Sequence, residues 1–217
     1  IIRSPDHASV LSAAKEALAN GHRSAAVSFK NSYLNDANER AVVSLLREAG
    51  FEFVVGSGAT HPFPKWLPRC ESAVTEAYLN PILRQYLDSV GKGMGAGGEL
   101  LVMSSAGGLI DRDGYRAIDS LLSGPAGGVV GAGATARAAG IDQFINLDMG
   151  GTSSDVSRYS GSFAYQSAHQ VGDARISSIA MKIETVAAGG GSICRVEDGL
   201  LRVGPQSAGA HPGPSCY

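Results

Sequence analysis

Short runs of glycine divide the second half of the chain into brief segments. The 29 glycines are concentrated there, in clusters at 91–98, 107–108, 124–133, 150–151, 189–191 and 204–213. Glycine loops between short helical and strand-like segments are typical of an α/β scaffold whose loops meet at one face. This pattern predicts an α/β fold with a loop-built site.

The first sixty residues read as helix, strand, helix and strand. Apolar stripes predict helices over 7–19 and 37–49, and short apolar runs predict strands over 24–29 and 51–55. That order favours a parallel α/β layer. Three prolines between positions 62 and 68 then interrupt regular structure, so we predict a boundary between an α/β segment, 1–60, and a second domain, 61–217.

The rest of the chain continues the alternation. The longest helical pattern covers 69–90 and places six residues near its buried face: Val74, Ala77, Tyr78, Ile82, Leu83 and Leu87. Further helices are predicted over 112–122 and 129–139. Strands are predicted over 99–103, 163–169 and 176–186, and a hairpin turns at Asp198-Gly199.

Composition excludes several functional classes. A net charge of −2 and 6% aromatic residues argue against a nucleic-acid surface, and no apolar run reaches membrane-spanning length. Three widely spaced cysteines suit reduced thiols in the cytoplasm. Because the chain opens at Ile1 and not at a methionine, we expect a piece of a longer protein.

The stretch 145–157, INLDMGGTSSDVS, carries the strongest chemical signal. An apolar strand runs into Asp148, then Gly150-Gly151, then three hydroxyls from Thr152 to Ser154, then Asp155. Two glycines can adopt backbone angles closed to other residues and direct N–H groups at an anion. Asp148 is placed to hold hydrated Mg²⁺ beside phosphates. The alternative is an ordinary hairpin with a glycine turn.

Two other glycine loops are candidate binding elements. Gly124, Gly127 and Gly128 open a helix, where free N–H groups suit a phosphate, although small residues there equally permit close packing on a sheet. The run 189–191, Gly189, Gly190 and Gly191, follows a strand, so it indicates either a ligand's approach or very tight packing.

Four motifs occur in a fixed order: SGPAGGVVGA, LDMGGTSSDVS, TVAAGGGS and VGPQSAGAHPGPSCY. Together they resemble the hydantoinase A/5-oxoprolinase family of ATP-dependent lactam-opening enzymes. The resemblance implies an actin-like ATPase (ribonuclease H-like) architecture, with a mixed sheet flanked by helices, incomplete in this piece. The remaining domains, or a B-type subunit, would be its partners.

The resemblance also implies roles for the candidate residues. ATP and Mg²⁺ would be the cofactors, and Gly150, Gly151, Thr152 and Ser153 would hold phosphate. Asp148 would orient the metal and Asp155 a water or the metal, so these two are the expected catalytic residues. The two other glycine clusters would line the cleft.

The substrate implied is a small cyclic amide. Four positions depart from the family pattern: Ala59, Ala106, Lys182 and Glu184. A lysine in place of an acid reverses a local charge, which bears on substrate or metal preference. The expected substrate is 5-oxoproline, in the glutathione cycle, with hydantoin-type cyclic ureas second. A nucleotide-binding module without lactam chemistry is the alternative from another class.

Overall fold

A computed structural model describes residues 4–95, 98–172, 174–211 and 213–214. Its helices are α1 (His7–Ala19), α2 (Ala37–Glu48), α3 (Ser57–Thr60), α4 (Trp66–Gly93) and α5 (Ser123–Ala138), with 3-10 turns at Arg112–Gly114 and Ala117–Asp119. Its strands are β1 (Ser24–Val27), β2 (Phe53–Gly56), β3 (Leu101–Met103), β4 (Leu109–Asp111), β5 (Gln143–Met149), β6 (Ser154–Ser160), β7 (Tyr165–Gln166), β8 (His169–Val171), β9 (Ala174–Ile176), β10 (Ala180–Met181), β11 (Glu184–Val186), β12 (Ser192–Glu197) and β13 (Leu200–Ser207).

The chain divides into two compact units. Unit 1 comprises Ile1–Val102, Leu109–Leu121 and Ser167–Ala180, and unit 2 comprises Met103–Gly108, Leu122–Gln166 and Met181–Tyr217. The boundary expected between residues 60 and 61 falls inside unit 1. It stays a prediction about domain organisation.

The alternation predicted for the first sixty residues is present in unit 1. Strands β1 and β2 pair in parallel, with Ser24 opposite Phe53 and Val27 opposite Gly56. Helices α1 and α2 contribute to the same core as the two strands; its buried members are Ala14, Val27, Val42, Leu46, Phe51 and Val54. The elements follow the predicted order because each apolar stripe contributes to this one core.

The predicted buried face of α4 is partly correct. Ala77 and Leu87 are buried as expected, whereas Val74, Tyr78 and Ile82 are 53%, 71% and 61% exposed. The buried positions of the helix are Arg69, Ser72, Ala73, Glu76, Ala77, Asn80 and Leu87. Most of this face is polar or small, so apolar periodicity identified only part of it.

Hydrogen bonds to loop backbone explain the polar face. Arg69, fully buried, donates to the carbonyl oxygens of Phe29 at 2.7 Å and Phe63 at 2.7 Å. Glu76 accepts from the amides of Ala117 at 3.2 Å and Ile118 at 2.9 Å. Buried backbone groups need partners, and α4 supplies them. The helix predicted over 112–122 is two 3-10 turns, because Glu76 takes amides that a helix would bond internally.

Unit 2 is built around the β5–β6 hairpin. Strand β6 also pairs antiparallel with β11, and α5 packs on the β5–β6 hairpin. Ala126 and Val129 of α5 are buried with Met181. The helix begins at Ser123, six residues before the predicted start, so its glycine run lies within its first turns. Beyond this, β12 and β13 form the hairpin predicted at Asp198-Gly199.

In the described ranges, no helix is long and apolar enough to cross a lipid bilayer.

Candidate functional site

The two candidate acids face each other across the β5–β6 hairpin. Asp148 of β5 lies directly opposite Asp155 of β6, between the Leu147–Val156 and Met149–Ser154 pairs. A Cβ atom built on Gly128 of α5 would lie 3.3 Å from Asp148 Oδ2. The pair of acids therefore lies on the face of the hairpin that α5 covers, since successive side chains alternate between faces.

This acidic pair favours a bound cation. Residues directly opposite in an antiparallel pair have Cβ atoms about 4.5–5.5 Å apart, and like charges there are destabilising. Thr185 Oγ1 of β11 donates to Asp155 Oδ1 at 2.6 Å, which orients that carboxylate. In the described part of the chain no group of three or more His, Cys, Asp or Glu residues could hold a metal by itself. A metal here would need ligands from a phosphate or water.

The loop between the strands offers free hydrogen-bond donors. Its ends are closed by the amide of Gly150, which donates to the carbonyl oxygen of Ser153 at 2.9 Å. Among the described residues, none accepts a hydrogen bond from the amides of Gly151, Thr152 or Ser153. Gly150, Gly151 and Thr152 are exposed to solvent. Three successive amides without a described acceptor therefore lie beside the hydroxyl groups of Thr152 and Ser153.

The triple-glycine loop braces this hairpin from beneath. The amides of Gly190 and Gly191 donate to the carbonyl oxygens of Gly150 at 2.9 Å and Gly151 at 2.6 Å. The amide of Gly189 donates to Ser192 Oγ at 2.8 Å. All three amides are thus engaged within the protein. Of the two alternatives for this run, tight packing is the one the geometry displays.

Steric contact shows why the bracing loop needs glycine. A Cβ atom on Gly189 would lie 2.6 Å from the Gly150 carbonyl oxygen, and one on Gly191 would lie 2.9 Å from that of Gly151. The corresponding distance at Gly190 is 3.9 Å, an ordinary van der Waals contact. Two of the three positions therefore exclude any side chain.

The reason expected for Gly150 and Gly151 is wrong. Neither has a positive φ, so neither uses a backbone conformation reserved for glycine. A Cβ atom on Gly151 would meet nothing within 4 Å. The space in which a Gly151 side chain would lie is therefore open.

The helix glycines differ in their surroundings. Gly128 makes room for the Asp148 carboxylate, whereas Gly127 would place a Cβ atom 3.7 Å from Met103 and Gly124 would meet nothing within 4 Å. Close packing against the hairpin thus accounts for Gly128. Binding roles for Gly124 and Gly127 stay predictions.

Sequence reasoning missed Thr185. It singled out the neighbouring Lys182 and Glu184, which lie 4.0 Å apart as an exposed ion pair. Glu184 is opposite Val156, so its side chain points to the other face from Asp155. The alternation of side chains along β11 could have identified Thr185, because it is the one residue of the Glu184–Val186 strand that shares a face with the two acids.

Comparison with known proteins identifies the family. The family model described as hydantoinase/oxoprolinase matches residues 69–217. The chain belongs to this family. It is 42% identical over 221 residues to a 5-oxoprolinase of Saccharomyces cerevisiae, covering 100% of this chain and 17% of that protein. The caprolactamase subunit alpha of Pseudomonas jessenii is 35% identical over 88% of this chain and 29% of its own length.

A solved structure confirms the fold class. The crystal structure of the ATP-dependent caprolactamase from Pseudomonas jessenii aligns with a TM-score of 0.82 at 32% identity, covering 98% of this chain and 32% of that chain. The expected α/β, ATPase-like architecture is therefore the fold of this family member. The chain spans about a sixth of the length of the 5-oxoprolinases it matches.

Proposed function

We propose that this chain contributes a phosphate-binding loop to an ATP-dependent cyclic amide hydrolase of the 5-oxoprolinase type. Family membership and 42% identity to a 5-oxoprolinase support this proposal. The observation that carries it is the hairpin, where the unpaired amides of Gly151, Thr152 and Ser153 lie beside the facing carboxylates of Asp148 and Asp155. Donors for an anion and ligands for a cation together suit a metal-bound nucleotide phosphate.

The donor set fits both cofactors. The three amides and the Thr152 hydroxyl would hold phosphate oxygens of ATP, and Asp148 would hold Mg²⁺, which usually binds through one or two carboxylates plus substrate phosphates. Opening a five-membered lactam is unfavourable, and ATP supplies a γ-phosphate that activates the amide oxygen towards hydrolysis. Mg²⁺ would neutralise phosphate charge in this setting.

The residues of this chain position the phosphate and neutralise its charge, and none of them is required as a strong nucleophile. Phosphoryl transfer depends mainly on positioning and electrostatic stabilisation. The hairpin amides fix phosphate geometry, and Asp155, oriented by Thr185, accepts a hydrogen bond from an attacking water or a metal-bound water. Gly189 and Gly191 hold the hairpin rigid by packing beneath it. The helix start at Gly124 lines the nucleotide cleft.

Partners and location follow from the same proposal. The relative named as a subunit alpha supports an assembly with further domains or a B-type subunit. Free thiols at Cys70 and Cys194 support a cytoplasmic location. A place in the glutathione cycle would follow from 5-oxoproline as the substrate. We expect the 217-residue chain alone to show negligible ATPase activity and weak nucleotide binding; micromolar ATP affinity by calorimetry would contradict the weak binding.

The test is release of glutamate from 5-oxoproline by the full-length protein. Release is expected with ATP and Mg²⁺ and not when either is omitted, with hydantoin measured in parallel. Faster turnover of hydantoin would reassign the substrate to cyclic ureas. ATP binding without turnover of either compound would favour the nucleotide-binding module instead.

A further inference from the structure

Unit 1 contains a cavity that the phosphate site does not use. It has a volume of about 280 Å³, and its lining includes His61, Phe63, Lys65, Pro68, Arg175 and Ser177. The volume lies near the lower end of the range for small-molecule sites, about 300–1,000 Å³. A compact ligand fits this space better than a nucleotide does.

The charged groups at the cavity are mainly cationic. No described carboxylate lies within 4.0 Å of the charged groups of Lys65 or Arg175. Arg69 lies behind the wall, where it donates to the carbonyl oxygens of Phe63 and Pro64. The acid nearest in the hydrogen-bond network is Glu71, which accepts from the backbone amide of Arg175 at 3.2 Å.

The pKa of His61 is lowered partly by neighbouring positive charges. Burial is the first cause that lowers its pKa, and the charges of Arg116 and Arg69 lower it further. A histidine that is driven towards its neutral form beside two cationic side chains suits an anionic ligand.

One wall of the cavity is apolar. The rings of His61 and Phe63 stack with centroids 4.3 Å apart, and Pro64 and Pro68 continue the surface. The charged residues of the lining include Lys65 and Arg175, and its hydroxyl residues are Ser167 and Ser177. A molecule with one anionic group and a small apolar ring or chain would satisfy both parts.

We propose that this cavity binds a small carboxylate, held at its anionic group by Lys65 and Arg175 and at its apolar part by Phe63 and Pro68. The identity of the ligand rests on the proposed function: 5-oxoproline carries a carboxylate on a five-membered ring, whereas hydantoin does not. The cavity then determines specificity for a carboxylate-bearing lactam.

Calorimetry on the full-length protein without ATP tests this directly. The probes are 5-oxoproline, 2-pyrrolidinone as the same ring without a carboxylate, acetate and inorganic phosphate. We expect 5-oxoproline to bind at least tenfold more tightly than each of the other three. Arg175→Gln and Lys65→Gln are each expected to weaken its binding about tenfold or more, since a hydrogen bond to a charged group contributes about 1.5–3 kcal/mol.

The exposed Lys15 of α1 provides the matched control, and Lys15→Gln should leave binding unchanged. Equal affinities for 5-oxoproline and 2-pyrrolidinone, tighter binding of phosphate, or wild-type binding by both cavity variants would overturn the proposal. Turnover of 5-oxoproline with an unchanged KM in Arg175→Gln would reject the cavity and leave the function standing. Carboxylate binding that depends on Arg175 and Lys65, without any turnover, would keep the cavity and reject the function.

Discussion

Alanine substitutions in the triple-glycine loop separate bracing from ligand contact. In Gly189→Ala the new Cβ atom would lie 2.6 Å from the Gly150 carbonyl oxygen and 2.8 Å from the Gly151 carbonyl carbon. Both neighbours are backbone atoms, so relief requires the two loops to move apart. That movement also lengthens the hydrogen bonds from Gly190 and Gly191 to the hairpin.

The magnitude follows from these two effects. Overpacking costs about 1–3 kcal/mol, and each weakened hydrogen bond costs about 1 kcal/mol. The reduced freedom of the unfolded chain offsets about 0.4–1 kcal/mol. We therefore expect Gly189→Ala to lower the free energy of unfolding by about 2–5 kcal/mol. Gly190→Ala, whose Cβ atom would lie 3.9 Å from the nearest atom, is the matched control and should change stability by less than about 0.5 kcal/mol or raise it slightly.

Urea denaturation of the 217-residue chain measures these differences, and hydrogen exchange at the amides of Gly190 and Gly191 localises them. Faster exchange at both amides is expected in Gly189→Ala only. A Gly190→Ala variant as destabilised as Gly189→Ala would refute the bracing argument, because the geometry distinguishes the two positions by more than 1 Å.

Three further substitutions test unit 1. Replacing Arg69 by methionine should lower the free energy of unfolding by about 3 kcal/mol or more in urea denaturation, because the carbonyl oxygens of four partly buried hydrogen bonds lose their donor; a loss below about 1 kcal/mol would contradict this. Glu76→Ala should lower the free energy of unfolding by about 2–4 kcal/mol and speed hydrogen exchange at the amides of Ala117 and Ile118, which lose their acceptor. Unchanged exchange at these two amides would contradict the role given to Glu76. Burial lowers the pKa of His169, with Asp119 opposing, so its neutral form stabilises the fold above pH 6.5 and that stability declines as pH falls below it. His169→Gln should flatten the fall in unfolding free energy between pH 7.5 and 5.5, whereas the exposed His22→Gln should not, and an unchanged slope in His169→Gln would refute the assignment.

The phosphate hairpin could be predicted because local sequence determines it. A strand, two glycines and a second strand form an antiparallel pair by themselves, so Asp148 and Asp155 meet across it. The contact with Gly189 and Gly191 could not be placed in this way, because it joins segments about forty residues apart. The sequence indicated only that the run 189–191 required glycine, and not which segment packs against it.

Helix α4 could not be predicted fully because its buried face is polar. Apolar periodicity finds a helix, yet here Arg69 and Glu76 face inward to bond the backbone of loops. The same bonds replace the helix expected over 112–122. Partners of this kind come from tertiary structure, and they override local helix propensity.

The role of Gly128 and the contact of Thr185 also depend on tertiary structure. Gly128 was a candidate phosphate donor from the helix start, and in the structure it admits the Asp148 carboxylate. Thr185 escaped notice because the sequence reading did not determine which residue of the short strand β11 faces Asp155.

ATP-dependent glutamate release from 5-oxoproline by Asp148→Asn full-length protein measures whether Asp148 holds the metal at the phosphate. Asp142→Asn, exposed and just before the same strand, is the matched control. Within the described ranges, Asp142 forms a hydrogen bond only through its backbone oxygen, which accepts from the amide of Gly161. We expect kcat to fall about a hundredfold or more in Asp148→Asn and not to change in the control. Turnover within about threefold of wild type in Asp148→Asn would contradict this expectation, since losing charge stabilisation at a phosphate typically costs about 10²–10³.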